Sequence, residues 1–229
     1  MKSLLIPAAS LLASSAALLI PAVALAQPEA YEAETGNHDV AAPRNAFEIG
    51  VVTGYAQGGG KLGGAAGSLE DISGPGGSVE VDLGYRILPE LGIGAYGTYA
   101  RFANGDSISS STDVLGASAG VQATWHFRPE RSVDPWLSLG TGWKGLWLNP
   151  ASGKVTSLQG FELARLSLGV DYRVSKNIAI SPVIGGGVSL LVSQDSPMTT
   201  SYTEISDKKV NFTGFAGLAG RFDIGGSRY

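Results

Sequence analysis

The sequence predicts an all-β fold, an eight-stranded antiparallel up-and-down transmembrane β-barrel, and three observations carry that prediction. Eight runs between Phe47 and Ile224 alternate apolar residues with polar or small ones, a period of two that only a two-faced strand requires. The connections between these runs are alternately long and short. The composition of the 229 residues fits neither an ordinary soluble domain nor a disulfide scaffold: 44% are hydrophobic, only 16% are charged, 33 are glycine and none is cysteine. Soluble chains carry about 25% charge, and without cysteine there are no disulfides and no thiolate metal sites. Sixteen Lys and Arg against twenty Asp and Glu leave a net charge of −4. That balance lacks the basic stripe that binds nucleic acid, so no nucleic-acid partner is expected.

Residues 1–26 read as a secretory signal peptide. Met1-Lys2 forms a basic start, an Ala/Leu-rich apolar run follows, and Ala24-Leu25-Ala26 supplies the small-residue cleavage site. Cleavage is expected after Ala26. No cysteine follows to take a lipid anchor, and beyond that point no run of 18 apolar residues could form a membrane-spanning helix. Residues 27–45 are polar and acidic with two prolines and no period, and are expected to form a flexible leader. Residues 46–229 are assigned to the barrel.

Each strand is argued from its alternation. In the first, Phe47, Ile49, Val51, Thr53 and Tyr55 oppose Glu48, Gly50, Val52 and Gly54. The second sets Val79, Val81, Leu83, Tyr85 and Ile87 against Glu80, Asp82, Gly84 and Arg86, and the third sets Leu91, Ile93, Ala95 and Tyr99 against Gly92, Gly94, Tyr96 and Thr98. The fourth holds the pattern from Leu115 through Trp125 to Phe127, opposite Gly116, Ser118, Gly120, Gln122, Thr124 and His126. The fifth places Leu137, Leu139, Thr141, Trp143 and Trp147 opposite Ser138, Gly140, Gly142 and Lys144. In the sixth, Leu166, Leu168, Val170, Tyr172 and Val174 face away from Arg165, Ser167, Asp171 and Arg173. The seventh is less regular, because Pro182 removes a ladder donor and Val183 and Leu191 are apolar on the second face. The eighth opposes Val210, Phe212, Ala216, Leu218, Phe222 and Ile224 to Asn211, Thr213, Arg221 and Asp223.

Long connections are expected over 56–77, 103–113, 149–159 and 193–208, and short ones at Leu88-Pro89-Glu90, Arg128 to Asp134 and Ser175-Lys176-Asn177. Even strand number with tight turns at one end and long loops at the other is the arrangement of membrane barrels. The face assignment follows from volume and charge. An eight-stranded lumen has room only for packed side chains, so some thirty large apolar residues cannot all point inward. The inward set is then the polar face: Glu48, Glu80, Asp82, Asp171 and Asp223 with Arg86, Lys144, Arg165, Arg173 and Arg221. Five acids and five bases allow pairing, as burial of charge demands. Arg86 is expected to meet Glu48, and Asp82 and Glu80 to meet Lys144 and Arg165. Aromatic residues collect at both ends of the outward face, with Tyr85, Trp125, Phe127, Tyr172 and Phe222 near the short turns and Tyr55, Tyr99, Trp147 and Phe212 near the long loops. These are expected to be two interfacial girdles.

Three sequence units bring a known family into view: Leu83-Gly84-Tyr85-Arg86-Ile87-Leu88-Pro89-Glu90-Leu91-Gly92-Ile93-Gly94, Trp125-His126-Phe127-Arg128-Pro129-Glu130 and Asp171-Tyr172-Arg173. With them, residues 46–224 resemble the small outer-membrane β-barrel domains of Gram-negative bacteria, the OmpA, OmpX and OmpW type. The resemblance implies location in the bacterial outer membrane, contact with outer-membrane lipids and lipopolysaccharide, and insertion by the barrel-assembly machinery. It implies a fold and a place rather than one activity. The family usually ends on an outward-facing aromatic residue, whereas Tyr229 has the parity opposite to Phe222 and Ile224. A bulge at Gly225-Gly226 or a short tail would account for the difference.

Motifs that suggest chemistry fall in the wrong places for it. Gly92 to Gly97 and Gly140 to Gly145 both match G-x-G-x-x-G, but each lies inside a strand rather than between strand and helix. Gly116-Ala117-Ser118-Ala119-Gly120 matches the nucleophile-elbow pattern, yet Ser118 is mid-strand and the later His126 is only eight residues away. Some barrels of this family modify lipid A with Ser and His facing the lipid; His126 points inward by parity. Catalytic, cofactor-binding and metal-binding residues are therefore not expected. The function expected is that of a non-enzymatic outer-membrane barrel, structural or interaction-mediating through long outer loops, its lumen plugged by charge. The alternatives are a small OmpW-like channel for apolar or small solutes, left open by Val183, Leu191 and Phe215 on the inward face, and, behind it, a lipid A-modifying enzyme.

Overall fold

The computed structural model of the chain describes residues 40–63, 67–195 and 203–228. The signal-peptide assignment, most of the leader and Tyr229 lie outside the described residues. Period-two alternation becomes nine strands and one helical turn: β1 (Ala46–Gly60), α1 (Leu69–Ile72), β2 (Ser73–Arg86), β3 (Leu91–Asn104), β4 (Thr112–His126), β5 (Val133–Pro150), β6 (Thr156–Arg173), β7 (Ile178–Asp195), β8 (Thr203–Glu204) and β9 (Val210–Ile224). β8 is a two-residue addition to β7. The other eight strands pair antiparallel with their sequence neighbours, and β9 pairs with both β7 and β1, which closes the sheet on itself.

Closure fixes the stagger. Followed from partner to partner, Phe47 leads through Tyr85, Ile93, Ala123, Leu139, Leu166, Gly186 and Gly214 back to β1 at Gln57, ten residues beyond the start. A closed sheet with this offset must tilt its strands by roughly 35–45° to the barrel axis, leaving a narrow lumen. Two interruptions matter for what faces inward. At Leu163 the β5–β6 and β6–β7 registers slip, so Glu162 and Arg165 lie on the same face three residues apart. Around Pro182, where no N–H is available, the β6–β7 pairing passes from Gly169↔Val183 to Tyr172↔Ile180.

The faces are as the alternation requires. Val121 is 62% exposed, Leu218 59% and Ile184 60%, while inward Ser181, Asp171 and Asp134 are fully buried. An exposed apolar wall of this extent calls for an apolar surrounding such as the hydrocarbon of a membrane. Closure pairs each of the eight long strands on both sides, which leaves no open sheet edge for lipid to meet. All nine girdle aromatics stand on this outer face. Tyr55, Tyr99, Trp125, Phe127, Tyr172 and Phe212 are exposed, and Tyr85, Trp147 and Phe222 half-buried. The Tyr85 ring is held edge-on by Phe47 at 5.1 Å and Trp147 lies 5.8 Å from Trp143.

The ends depart from expectation. β5, β6 and β7 each run 18 residues, so most of the expected 149–159 loop is strand and only residues 151–155 connect β5 to β6. The exposed Arg101–Asp113 ion pair at 2.6 Å marks wall that has left the apolar zone. Residues 40–45, counted with the flexible leader in the sequence reading, are instead packed under the short-turn end. Val40 N–H donates to Ser132 Oγ, Ala42 N–H to the Pro129 carbonyl, and Arg44 pairs with Ser227 in a short bridge. Gly225 and Gly226 both have positive φ, 74° and 82°, a conformation cheap only for glycine. This bends the chain out of β9 at Ile224 and turns Ser227 toward Arg44.

Candidate functional site: the filled lumen

Inward parity brings the charges together in two layers. Near the short turns, Arg86 donates to Glu48 at 2.6 Å and Arg173 to Asp223 at 2.6 Å. Arg221, on β9, reaches Glu48 at 3.3 Å and Asp171 at 3.7 Å and packs 4.1 Å over the Trp136 ring. His126 Nδ1 lies 2.7 Å from Asp134 Oδ2 while its Nε2 stands 3.3 Å from Arg221 Nη1. That geometry suits a neutral imidazole, donating from Nδ1 and accepting at Nε2. Ser181 Oγ donates to Asp171. Each guanidinium of this layer lies within ion-pair distance of a carboxylate, and each is at least nine-tenths buried.

The second layer lies nearer the long loops. Arg165 pairs with Glu80, approaches Glu162 at 3.8 Å, and is held between the rings of Phe215 at 4.3 Å and Tyr96 at 5.1 Å. Tyr96 donates its hydroxyl to Glu162 at 2.7 Å and Thr98 to Glu80 at 2.8 Å. Lys144 crosses the lumen to the Thr213 hydroxyl. Between the two layers Asp82 accepts from the Gln122 amide at 2.8 Å. Trp136, Val52, Val183 and Ala219, with Phe215 against them, form an apolar floor at the same height. At the long-loop end, Leu62, Leu69, Ile72, Val114, Leu146, Leu158, Leu191 and Ile205 close into an apolar cap inside the mouth.

All ten charges expected inside are inside, but not all with the expected partners. Glu80 takes Arg165 as expected, whereas Lys144 and Asp82 do not meet: Asp82 accepts from Gln122 and Lys144 donates to Thr213. Two carboxylates were missed. Glu162 is 2% exposed, hidden from a parity count by the register slip at Leu163. Asp134 was assigned to a turn, although its parity with Ser138 already points it inward. The lumen thus holds seven acids and five bases with one histidine among the described residues. Val183 and Leu191, the residues that left an apolar pore open, are 3% and 1% exposed and pack into the apolar floor and the cap.

The motifs that suggested chemistry have structural roles. Both G-x-G-x-x-G segments lie within β3 and β5, and a Cβ at Gly94 would meet the Leu83 carbonyl oxygen at 2.5 Å. Ser118 sits mid-β4 on the inward face. His126, Asp134 and Asp171 bring ligand atoms within 4.8 Å of one another, a spacing a metal could use. The Arg221 guanidinium already stands against His126 and Asp171 there, supplying the positive charge that a metal would bring.

No protein-family model matches the chain, and no curated protein matches it in sequence. In structure it is similar to Neisserial surface protein A, with a TM-score of 0.51 and 20% identity over 77% of this chain and 96% of the other. It is also similar to the outer membrane protein AlkL in lipid bilayers, with a TM-score of 0.50 and 11% identity over 89% of this chain and 99% of that one. The chain has the fold of the small eight-stranded bacterial outer-membrane β-barrels.

Proposed function

We propose that the protein is a non-enzymatic barrel of the bacterial outer membrane that does not conduct, and that it acts through the rim and loops at its long-loop end. The observation that supports this most is the closure of the lumen at three heights: the Arg221 layer, the Arg165 layer and the leucine cap. The ring nitrogens of His126 are engaged by Asp134 and Arg221 in a buried position, which argues against lipid chemistry at that residue. On this reading the apolar belt contacts outer-membrane lipids, the rim meets lipopolysaccharide, and the barrel-assembly machinery inserts the chain. A second reading, a channel for small apolar solutes, draws on the apolar floor of Val52, Trp136, Val183 and Phe215. Liposome swelling with the refolded full chain separates the two. Swelling no faster in arabinose or a short-chain alcohol than in protein-free vesicles is expected; faster swelling in either solute contradicts the closed lumen.

A further inference from the structure

Between the upper charge layer and the leucine cap lies a cavity of about 60 Å³, room for roughly four water molecules or one solute of four or five heavy atoms. Its floor is made by Lys144, Glu162, Arg165 and Glu80, and its roof by Leu69, Leu146 and Leu191. On its wall stands Asn211, 1% exposed, with both amide atoms unpartnered; in register beside it is Ser189, fully buried, with its hydroxyl unpartnered. A buried amide without partners is costly, and this one offers a donor and an acceptor side by side into a space with an apolar lid.

We propose that this cavity binds a small uncharged solute of the carboxamide class, its amide paired to the Asn211 amide and its short apolar end under the leucine roof. The floor decides the charge. Two carboxylates and two cations already balance, so a charged guest would be buried without a counterion. Asn211 decides the group, because an amide returns an acceptor for its N–H and a donor for its C=O at once. The roof decides the size. Leu69 belongs to α1, a single turn clipped by Ser68 and Asp71, and it seats so closely that a Cβ at Gly58 would lie 2.6 Å from its Cδ2. α1 therefore has to lift for a guest to enter.

Propionamide is the probe, titrated into the refolded full chain in detergent micelles and read by NMR of the leucine methyls and the Asn211 side-chain amide. Saturable shifts confined to Leu69, Leu146, Leu191 and Asn211 are expected, about tenfold weaker for 1-propanol, which meets one amide atom at a time, and absent for propionate. Asn211→Leu should abolish the response, and Asn211→Ser, which alters the fold less, should weaken it. Absence of saturable shifts with propionamide overturns the proposal, as does equal binding of propionate or 1-propanol, or binding that survives in both variants.

Discussion

The two halves of the lumen solve the same filling problem with different chemistry. Toward the short turns the space is occupied by long charged side chains: Arg86, Arg173 and Arg221 interleave with Glu48, Asp134, Asp171 and Asp223 around His126. Toward the loops it is occupied by leucine and isoleucine from the wall, from α1 and from the connection after β7. The charged half is held by directional pairs that lose heavily when one member is removed. The apolar half is held by packing, part of it supplied by the single turn of α1 through Leu69 and Ile72. On the reading proposed above, the difference teaches that closure is built into the charged end, while the other end carries a lid over a cavity.

Removing the shared cation of the charged half should have the largest effect. Arg221→Ala leaves Glu48, Asp171 and the His126 acceptor short of a partner at once, and is expected to cost about 3–5 kcal/mol in denaturant titration of the lipid-embedded protein. The outer wall supplies a control that neither half should follow. Ala119, exposed at mid-depth between Gly97 and Trp143, should cost about 2–4 kcal/mol as Ala119→Arg. Inward Gln122→Arg should be nearly neutral, since it meets Asp82; equal losses at the two sites would contradict the face assignment. Arg86→Ala is expected to cost less than Arg221→Ala, about 1–3 kcal/mol, because Glu48 keeps Arg221. The smallest effect belongs to the lid. Hydrogen bonds from Ser68 hold the half-buried Asp71 carboxyl below its ordinary value. Ser68→Ala should raise it and speed hydrogen exchange in α1, with the strand amides unchanged; faster exchange in the strands as well would show that the lid is part of the barrel's own stability.

Much of this was legible because period two in a closed barrel is a strict constraint: a residue that faces inward commits its strand until a bulge intervenes. Glu48, Glu80 and Arg221 follow from parity alone. Glu162 does not, because the slip at Leu163 is a register event between strands and leaves no mark in the local pattern. Partner choice was equally hidden. Whether Lys144 meets Asp82 or Thr213 depends on the ten-residue stagger of the closed sheet, which alternation cannot supply. The loops were overestimated for a related reason: near the long-loop end of β5 and β6 the inward positions turn apolar, with Leu146 and Leu158 buried in the cap, so the apolar-out, polar-in alternation ends before the strand does. Half of the cap, Leu62, Leu69, Ile72 and Ile205, comes from segments outside the long strands that show no period by themselves.

The central claim is that paired charges in the short-turn half seal the lumen. Planar-bilayer recording of the refolded full chain, wild type beside Arg221→Ala, tests it most directly. The wild type should show no steady openings; Arg221→Ala, which releases Glu48 and Asp171 but keeps the Arg165 layer and the cap, should add only brief, rare cation-selective events. Stable conductance of the wild-type protein would contradict the account.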